Sequence, residues 1–323
     1  MVVKKLIAST ALCALTALGA IKAQAADQLT VGFSQVGSES GWRAAETTLT
    51  RQEAKNRNII LKFSDAQQKQ ENQIKAIHAF IAQGVDAIFL APVVATGWDS
   101  VLKEAKDANI PVILLDRLID TSDPSLYLTA VASDQVYEGK IAGGWLVQDA
   151  GTKPCNVVEI QGTVGSSPAI NRKKGFEEAI AGHDNIKIIR SETGDFVRAK
   201  GKEVMESFIK AEDNGKNICA VYAHNDDMAV GAIQAIKEAG LKPGTDIKVI
   251  SIDGIPDIFK AQLAGEDNAT VELTPDMAGP AFDALIAFKE HGVKPPHFIQ
   301  TKSTLFLPAT AQQEYDAKKD LGY

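Results

Sequence analysis

The chain has 323 residues, of which 45% are hydrophobic and 23% charged, and carries a formal charge of −7. That length suggests two domains at the usual ~150 residues each. An acidic balance without a dense Lys/Arg block argues against nucleic acid and against an anionic membrane surface as partners.

In chain order, the first feature is a targeting signal. Lys4 and Lys5 precede the apolar run "LIASTALCALTALGAI", and Ala23-Gln24-Ala25 fits a small-residue cleavage site, so residues 1–25 read as a secretory signal peptide. The run is short of the roughly 20 residues a membrane span requires. Leu12 before Cys13 is bulky where a lipoprotein signal wants a small residue. The expected mature chain starts near Ala26, is soluble and works outside the cytoplasm. Loss of Lys4, Lys5 and Lys22, with no acid in that segment, takes its charge from −7 to −10.

Strand and helix signals then alternate. The strand-like runs are "LTVGFSQ", "IILKFSD", "DAIFLAP", "PVILLD" and "LYLTAVAS", separated by helical patterns such as "ENQIKAIHAFIAQ". In that helix Ile74, Ile77, Phe80 and Ile81 fall at helical spacing and form one apolar face. The alternation restarts with "CNVVEIQG", "IKIIRSETG", "ICAVYAHND" and "IKVISIDG". This grammar predicts an α/β fold of two doubly wound parallel-sheet lobes. Cys155 and Cys219 each precede one of these second-half strands. In an oxidising compartment the pair reads first as a disulfide, with two separate buried thiols as the alternative.

In such sheets ligands gather beyond the carboxyl ends of the strands. The groups placed there are Ser34-Gln35 with the loop "VGSESGWR", Asp116-Arg117, Gln161-Gly162, Asp195-Phe196, Asn225-Asp226 and Asp253, with Arg172 on a helix nearby. "GSESG" puts Glu39 where a nucleophile elbow needs serine. Gly37 and Gly41 match neither phosphate-binding glycine pattern. His78, His183, His224, His291 and His297 are scattered without metal-ligand spacing. Asp226 and Asp227 read as a helix start stabilised by the dipole. Carbohydrate chemistry suits the remainder. Arg43, Arg117 and Arg172 offer planar forks to adjacent hydroxyls, Asp116, Asp253 and Asn225 offer acceptors, and Trp42 and Phe196 offer ring faces. The alternative is a surface Asp116–Arg117 ion pair and a core Trp42.

Together, "TVGFSQVGSESGWRAAE", "DAIFLAPVVATGW", "IPVILLDR", "NRKKGFEEAI", "HNDDMAVGAIQAIKEAG" and "SIDGIPD" resemble the periplasmic sugar-binding proteins of the ribose/galactose class, the substrate receptors of ABC transporters. The resemblance spans essentially the whole expected mature chain. "SQVGSESGWR" followed by "LLDR" is similar to the galactofuranose-binding members of that class. It implies a periplasmic protein whose two lobes are joined by a three-crossover hinge (the type I periplasmic binding fold), with crossovers near Ser133-Asp134, Leu273-Thr274 and Lys302-Ser303. The lobes would be 26–133 with 274–302, and 134–273 with 303–323. The implied ligand contacts are Glu39, Ser40, Trp42, Arg43, Asp116, Arg117, Arg172, Phe196, Asn225 and Asp253. The glutamine of ribose receptors near the second crossover aligns with Leu273, which speaks against ribose.

The function implied is capture of a monosaccharide, with galactofuranose foremost, and its delivery to a membrane permease, by a monomer using no cofactor or metal and performing no catalysis. The alternatives are a receptor for another sugar or sugar acid, or a sugar sensor for signalling or chemotaxis. An extracytoplasmic glycosidase is disfavoured because Asp116 and Asp253, beside arginines, are expected to stay ionised. The repressors that share the fold begin with a DNA-reading helix-turn-helix, whereas this chain begins with a signal peptide.

Overall fold

Two six-stranded sheets organise the computed structural model, which describes residues 28–323. The expected signal peptide and its cleavage site lie outside the described residues. The first half runs β1 (Thr30–Gln35), α1 (Gly41–Asn56), β2 (Ile60–Asp65), α2 (Gln70–Ala82), β3 (Ala87–Leu90), α3 (Asp99–Asp107), β4 (Val112–Leu115) and β5 (Thr129–Ser133). The second runs α4 (Gln135–Ala150), β6 (Cys155–Gln161), α5 (Ser167–Ile180), β7 (Ile186–Thr193), α6 (Arg198–Ala211), β8 (Ala220–Ala223), α7 (Asp226–Glu238), β9 (Lys248–Asp253), α8 (Pro256–Leu263) and β10 (Ala269–Glu272). The chain closes with α9 (Ala278–His291), β11 (Phe298–Thr301), β12 (Leu305–Phe306) and α10 (Ala311–Lys318).

The first sheet has the order β11-β5-β4-β3-β1-β2 and the second β12-β10-β9-β8-β6-β7. Each pairing is parallel except β12 with β10. Both lobes therefore reverse strand order beside their first strand, between β1 and β3 and between β6 and β8. A crevice opens at such a switch point, at the carboxyl ends. The chain passes between sheets after β5, after β10 and after β11, which are the three crossovers of the type I periplasmic binding fold.

Helices on both faces explain why the central strands are apolar throughout rather than alternating. β3, β4 and β8 are buried at every residue. In the first lobe Phe89 packs on Phe282 of α9 with ring centroids 4.7 Å apart. In the second, Phe176 of α5 stacks on Tyr222 of β8 at 4.1 Å. Among the described residues no helix is long and apolar enough to cross a membrane.

Cys155 and Cys219 form a disulfide between neighbouring strands β6 and β8, at the sheet end opposite the crevice. The bond closes a loop of 64 residues, so a chain-entropy argument gives it about 4 kcal/mol of stability. Replacing both cysteines with alanine is expected to lower the urea midpoint accordingly. An unchanged midpoint would show that the bond constrains nothing in the unfolded chain.

Candidate functional site

The first-lobe side of the crevice is built around one guanidinium. Gln35, buried at the end of β1, donates to Glu46 at 2.9 Å. Ser40 caps α1 by accepting from the Arg43 amide at 3.2 Å, which starts the helix with Trp42 and Arg43 facing inward. Arg43 then meets three carboxylates: Glu39 at 3.1 Å, Glu46 at 2.5 Å and Asp116 at 2.6 Å. Asp116 follows β4 with φ +61° and turns Arg117 into the crevice. Arg117 donates to the Val93 carbonyl at 3.0 Å and sits 3.6 Å from Glu39.

The second lobe answers with Arg172 on α5. Helices α4 and α5 touch at glycines, since a Cβ on Gly139 would stand 2.2 Å from the Arg172 carbonyl oxygen. That approach brings Glu138 of α4 to 2.9 Å from Arg172, which also donates to the His224 carbonyl at 2.7 Å and lies 3.9 Å from Asp253. Asn225 caps α7, accepting from the Met228 amide at 3.0 Å, and donates to the Phe196 carbonyl at 3.3 Å. One Nδ2 hydrogen remains for another acceptor. Asp195 and Phe196 take φ of +52° and +64°, a strained pair for residues with side chains. Asp226 and Asp227 stand in the first turn of α7, as the dipole argument expects, and Asp226 has a second role. Its carboxylate is buried, accepts from Ser251, Thr270 and the amides of Gly254 and Ile255, and so fixes the turn that carries Asp253.

All ten expected contact residues line one narrow cavity, joined by Pro168 and Leu273. The surface ion pair considered for Asp116 and Arg117 is instead buried, with Arg117 Nε 3.8 Å from Asp116. Trp42 belongs to the core and also lines the cavity, its indole nitrogen donating to the Leu273 carbonyl at 2.6 Å. Arg117 lies over the Phe196 ring at 5.1 Å, a contact between the lobes. No motif or spacing pointed to Pro168. Glu46 and Glu138 support the arginines from within the protein, and only Glu46, one helical turn beyond Arg43, was within reach of a spacing argument.

Burial works against every charge here. It would lower Arg43, but Glu46, Asp116 and Glu39 outweigh it and hold that guanidinium well above its ordinary pKa. Arg117 is brought down to about 10 by burial and by Arg43, and remains charged at neutral pH. Burial raises Glu46 and Glu138 despite their arginines. It also pushes Asp253 well above the usual carboxylate range, with Arg172 opposing, the reverse of the direction the arginine neighbour alone suggested. The Arg117 Nε donor and the Glu39 Oε2 acceptor are buried without partners, and a hydroxyl is the group that satisfies both kinds. Among the described residues no group of three or more His, Cys, Asp or Glu is placed to hold a metal ion.

The family described as "Periplasmic binding protein domain" matches residues 31–288. The chain is 70% identical to the galactofuranose-binding protein YtfQ of Escherichia coli (strain K12) over 91% of its length and 93% of that protein. A crystal structure of a galactofuranose binding protein, 69% identical, superposes with a TM-score of 0.91, covering 91% of this chain and all (100%) of that one. The periplasmic component of the arabinose ABC transporter from Shewanella sp. ANA-3, bound to α- and β-L-arabinofuranose, is 56% identical with a TM-score of 0.87, covering 90% and 95%.

Removing Arg43 leaves Glu39, Glu46 and Asp116 buried without their common counter-charge. Arg43→Met is expected to destabilise the protein by about 3–5 kcal/mol in urea unfolding. A change below about 1 kcal/mol would show that the three carboxylates do not depend on it.

Proposed function

The chain belongs to the periplasmic binding protein domain family, and on that premise we propose that it is the substrate receptor of an ABC transporter that holds galactose in its furanose form between its lobes. The observation that carries the ligand reading is the neutralisation of the arginines by the protein's own carboxylates. Arg43, Arg117 and Arg172 face Glu39, Glu46, Asp116 and Glu138, which leaves no unbalanced positive charge for a uronate even without counting Asp253. The unpartnered Arg117 and Glu39 atoms suit a neutral polyol. The galactofuranose and arabinofuranose named for its relatives are neutral five-membered rings.

The mechanism is capture by closure. The ligand contacts are Glu39, Ser40, Trp42, Arg43, Asp116 and Arg117 from one lobe, and Arg172, Phe196, Asn225 and Asp253 from the other. Between them the lobes share the Gly41 amide on Asp227 at 2.8 Å, the Ala95 amide on the Gly165 carbonyl at 2.8 Å, and the Leu118 amide on Ser167 Oγ at 2.9 Å. These bonds and a ligand touching both halves favour the closed form, so the sugar shifts the population towards it. The lobes would pivot as 26–133 with 274–302 against 134–273 with 303–323, flexing where the chain crosses between sheets. The closed monomer, secreted into the periplasm, then offers the permease a surface made by both lobes. A receptor serving a sensor would bind its sugar the same way.

Burial pushes Asp253 up, the direction a glycosidase acid needs, but hydrolysis also needs a free second carboxylate across the bond. Asp116 is committed to Arg43 at 2.6 Å. The protein is expected to release no phenol from an aryl galactofuranoside. Calorimetric titration is expected to show saturation by galactose only at an excess, because furanose is its minor form in solution, with furanose recovered from the complex by NMR. Galacturonate is expected to give no heat. A strong galacturonate signal with silence for galactose would overturn the ligand.

A further inference from the structure

Beneath the second-lobe side of the cavity lies a histidine that touches no lining group by its ring. His224, at the end of β8, is fully buried. Its Nδ1 accepts from the Gly162 amide at 3.3 Å, and its Nε2 stands 3.0 Å from Glu159 Oε1. An amide donor on one nitrogen and a carboxylate acceptor on the other assign the neutral tautomer with the proton on Nε2. The other face of the same glycine is also held, since Thr193 Oγ1 donates to the Gly162 carbonyl at 2.8 Å. The Phe196 ring rests directly on this glycine: a Cβ there would stand 1.8 Å from Phe196 Cζ. Phe196 in turn lines the cavity and carries Arg117 on its ring at 5.1 Å.

We infer that His224 is a positioning residue for sugar binding, whose neutral imidazole fixes the Gly162 peptide and so sets the height of the Phe196 ring in the cavity. This rests on the reading of the cavity as a sugar site. Four other groups surround the imidazole. Glu159 of β6 accepts from it, Lys173 of α5 reaches Glu159 at 2.8 Å, Arg172 of α5 donates to the His224 carbonyl, and Tyr222 of β8 packs on the ring at 5.1 Å. Burial alone would raise Glu159, but hydrogen bonds from His224, Lys173 and Ser191 hold it down at about 2. Burial keeps His224 below the ordinary imidazole range, with Arg172 and Lys173 adding to it and Glu159 opposing. The native state therefore holds the neutral ring at neutral pH and loses it as pH falls through the depressed pKa. Protonation then sets an Nδ1–H against the Gly162 N–H, two donors face to face, and the support under Phe196 shifts.

The test separates the two nitrogens. Asparagine places its side-chain oxygen near Nδ1 and keeps the acceptor for Gly162, whereas glutamine reaches only the Nε2 position. His224→Asn is expected to bind galactose within about three-fold of the native protein, and His224→Gln about ten-fold or more weakly. Native affinity is expected to fall as the pH drops below the ordinary imidazole range, and that of His224→Asn to fall less. Thr193→Val, which leaves the histidine in place but frees the other side of Gly162, is expected to weaken binding in the same direction. Equal affinities for the Asn and Gln variants with a pH profile like the native one would overturn the inference. So would imidazole ¹⁵N shifts of the ligand-free protein that place the proton on Nδ1. An Nε2–H tautomer in a native protein that ignores galactose would instead support the geometry and sink the sugar reading.

Discussion

The grip of three carboxylates on the Arg43 guanidinium is the constraint on which the site depends. Taking a guanidinium out of water costs several kcal/mol, and the cost is offset only where geometry and hydrogen bonding are complete. Glu39 comes from the loop after β1, Glu46 from the next turn of α1, and Asp116 from the end of β4. One ion thus ties together two strand ends and a helix that the fold brings to the switch point. It also determines what the crevice accepts. With its charge already answered, Arg43 acts as a donor fixed in place, and a ligand that brought its own negative charge would face Glu39 and Asp116.

Arg172 repeats the device in the second lobe with different parts. Glu138 holds it from α4, the His224 carbonyl from β8 and Asp253 from the end of β9, and the glycine contact between α4 and α5 makes the reach short enough. Ser303, on the segment between β11 and β12, lies 3.3 Å from Glu138 and so joins a crossover to this network. Gln135, just past the first crossover, donates to the Asp116 carbonyl at 2.9 Å. Lobe position and site geometry are therefore coupled by hydrogen bonds at two of the places where the chain changes sheets. The strained φ values of Asp116, Phe196 and Asp253 sit at the strand ends that carry cavity-lining side chains, where backbone strain is held by the surrounding packing.

Among β1 to β9 the central strands were legible because buried parallel strands leave continuous apolar runs, and the part-exposed edge strands β2 and β7 were legible from their Ile, Leu and Phe residues. Later ones were not. β11 exposes part of each turn of its pleat and β12 has 2 residues, too short for any periodic signal. Helix α4 carries Gly139, Gly143 and Gly144, which weaken its intrinsic propensity, and the first two are there for contact with α5. The cavity-lining residues could be named in advance because the fold concentrates ligands at strand ends and because the motifs resembled a known family. The layer beneath them could not. Glu138 and His224 come into play only through neighbours 34 and 65 residues away, Arg172 and Glu159, and nothing in local sequence marks such pairs. The raised pKa of Asp253 was missed for the same reason. Its arginine neighbour was visible, while the depth of its burial was not.

A crystal structure of the protein grown with galactose tests the central claim most directly. The expected density is a single furanose ring between closed lobes, with its hydroxyls met by Asp116 and Arg117 on one side and by Arg172, Asn225 and Asp253 on the other. A pyranose ring, or a sugar bound to one lobe of an open molecule, would contradict it.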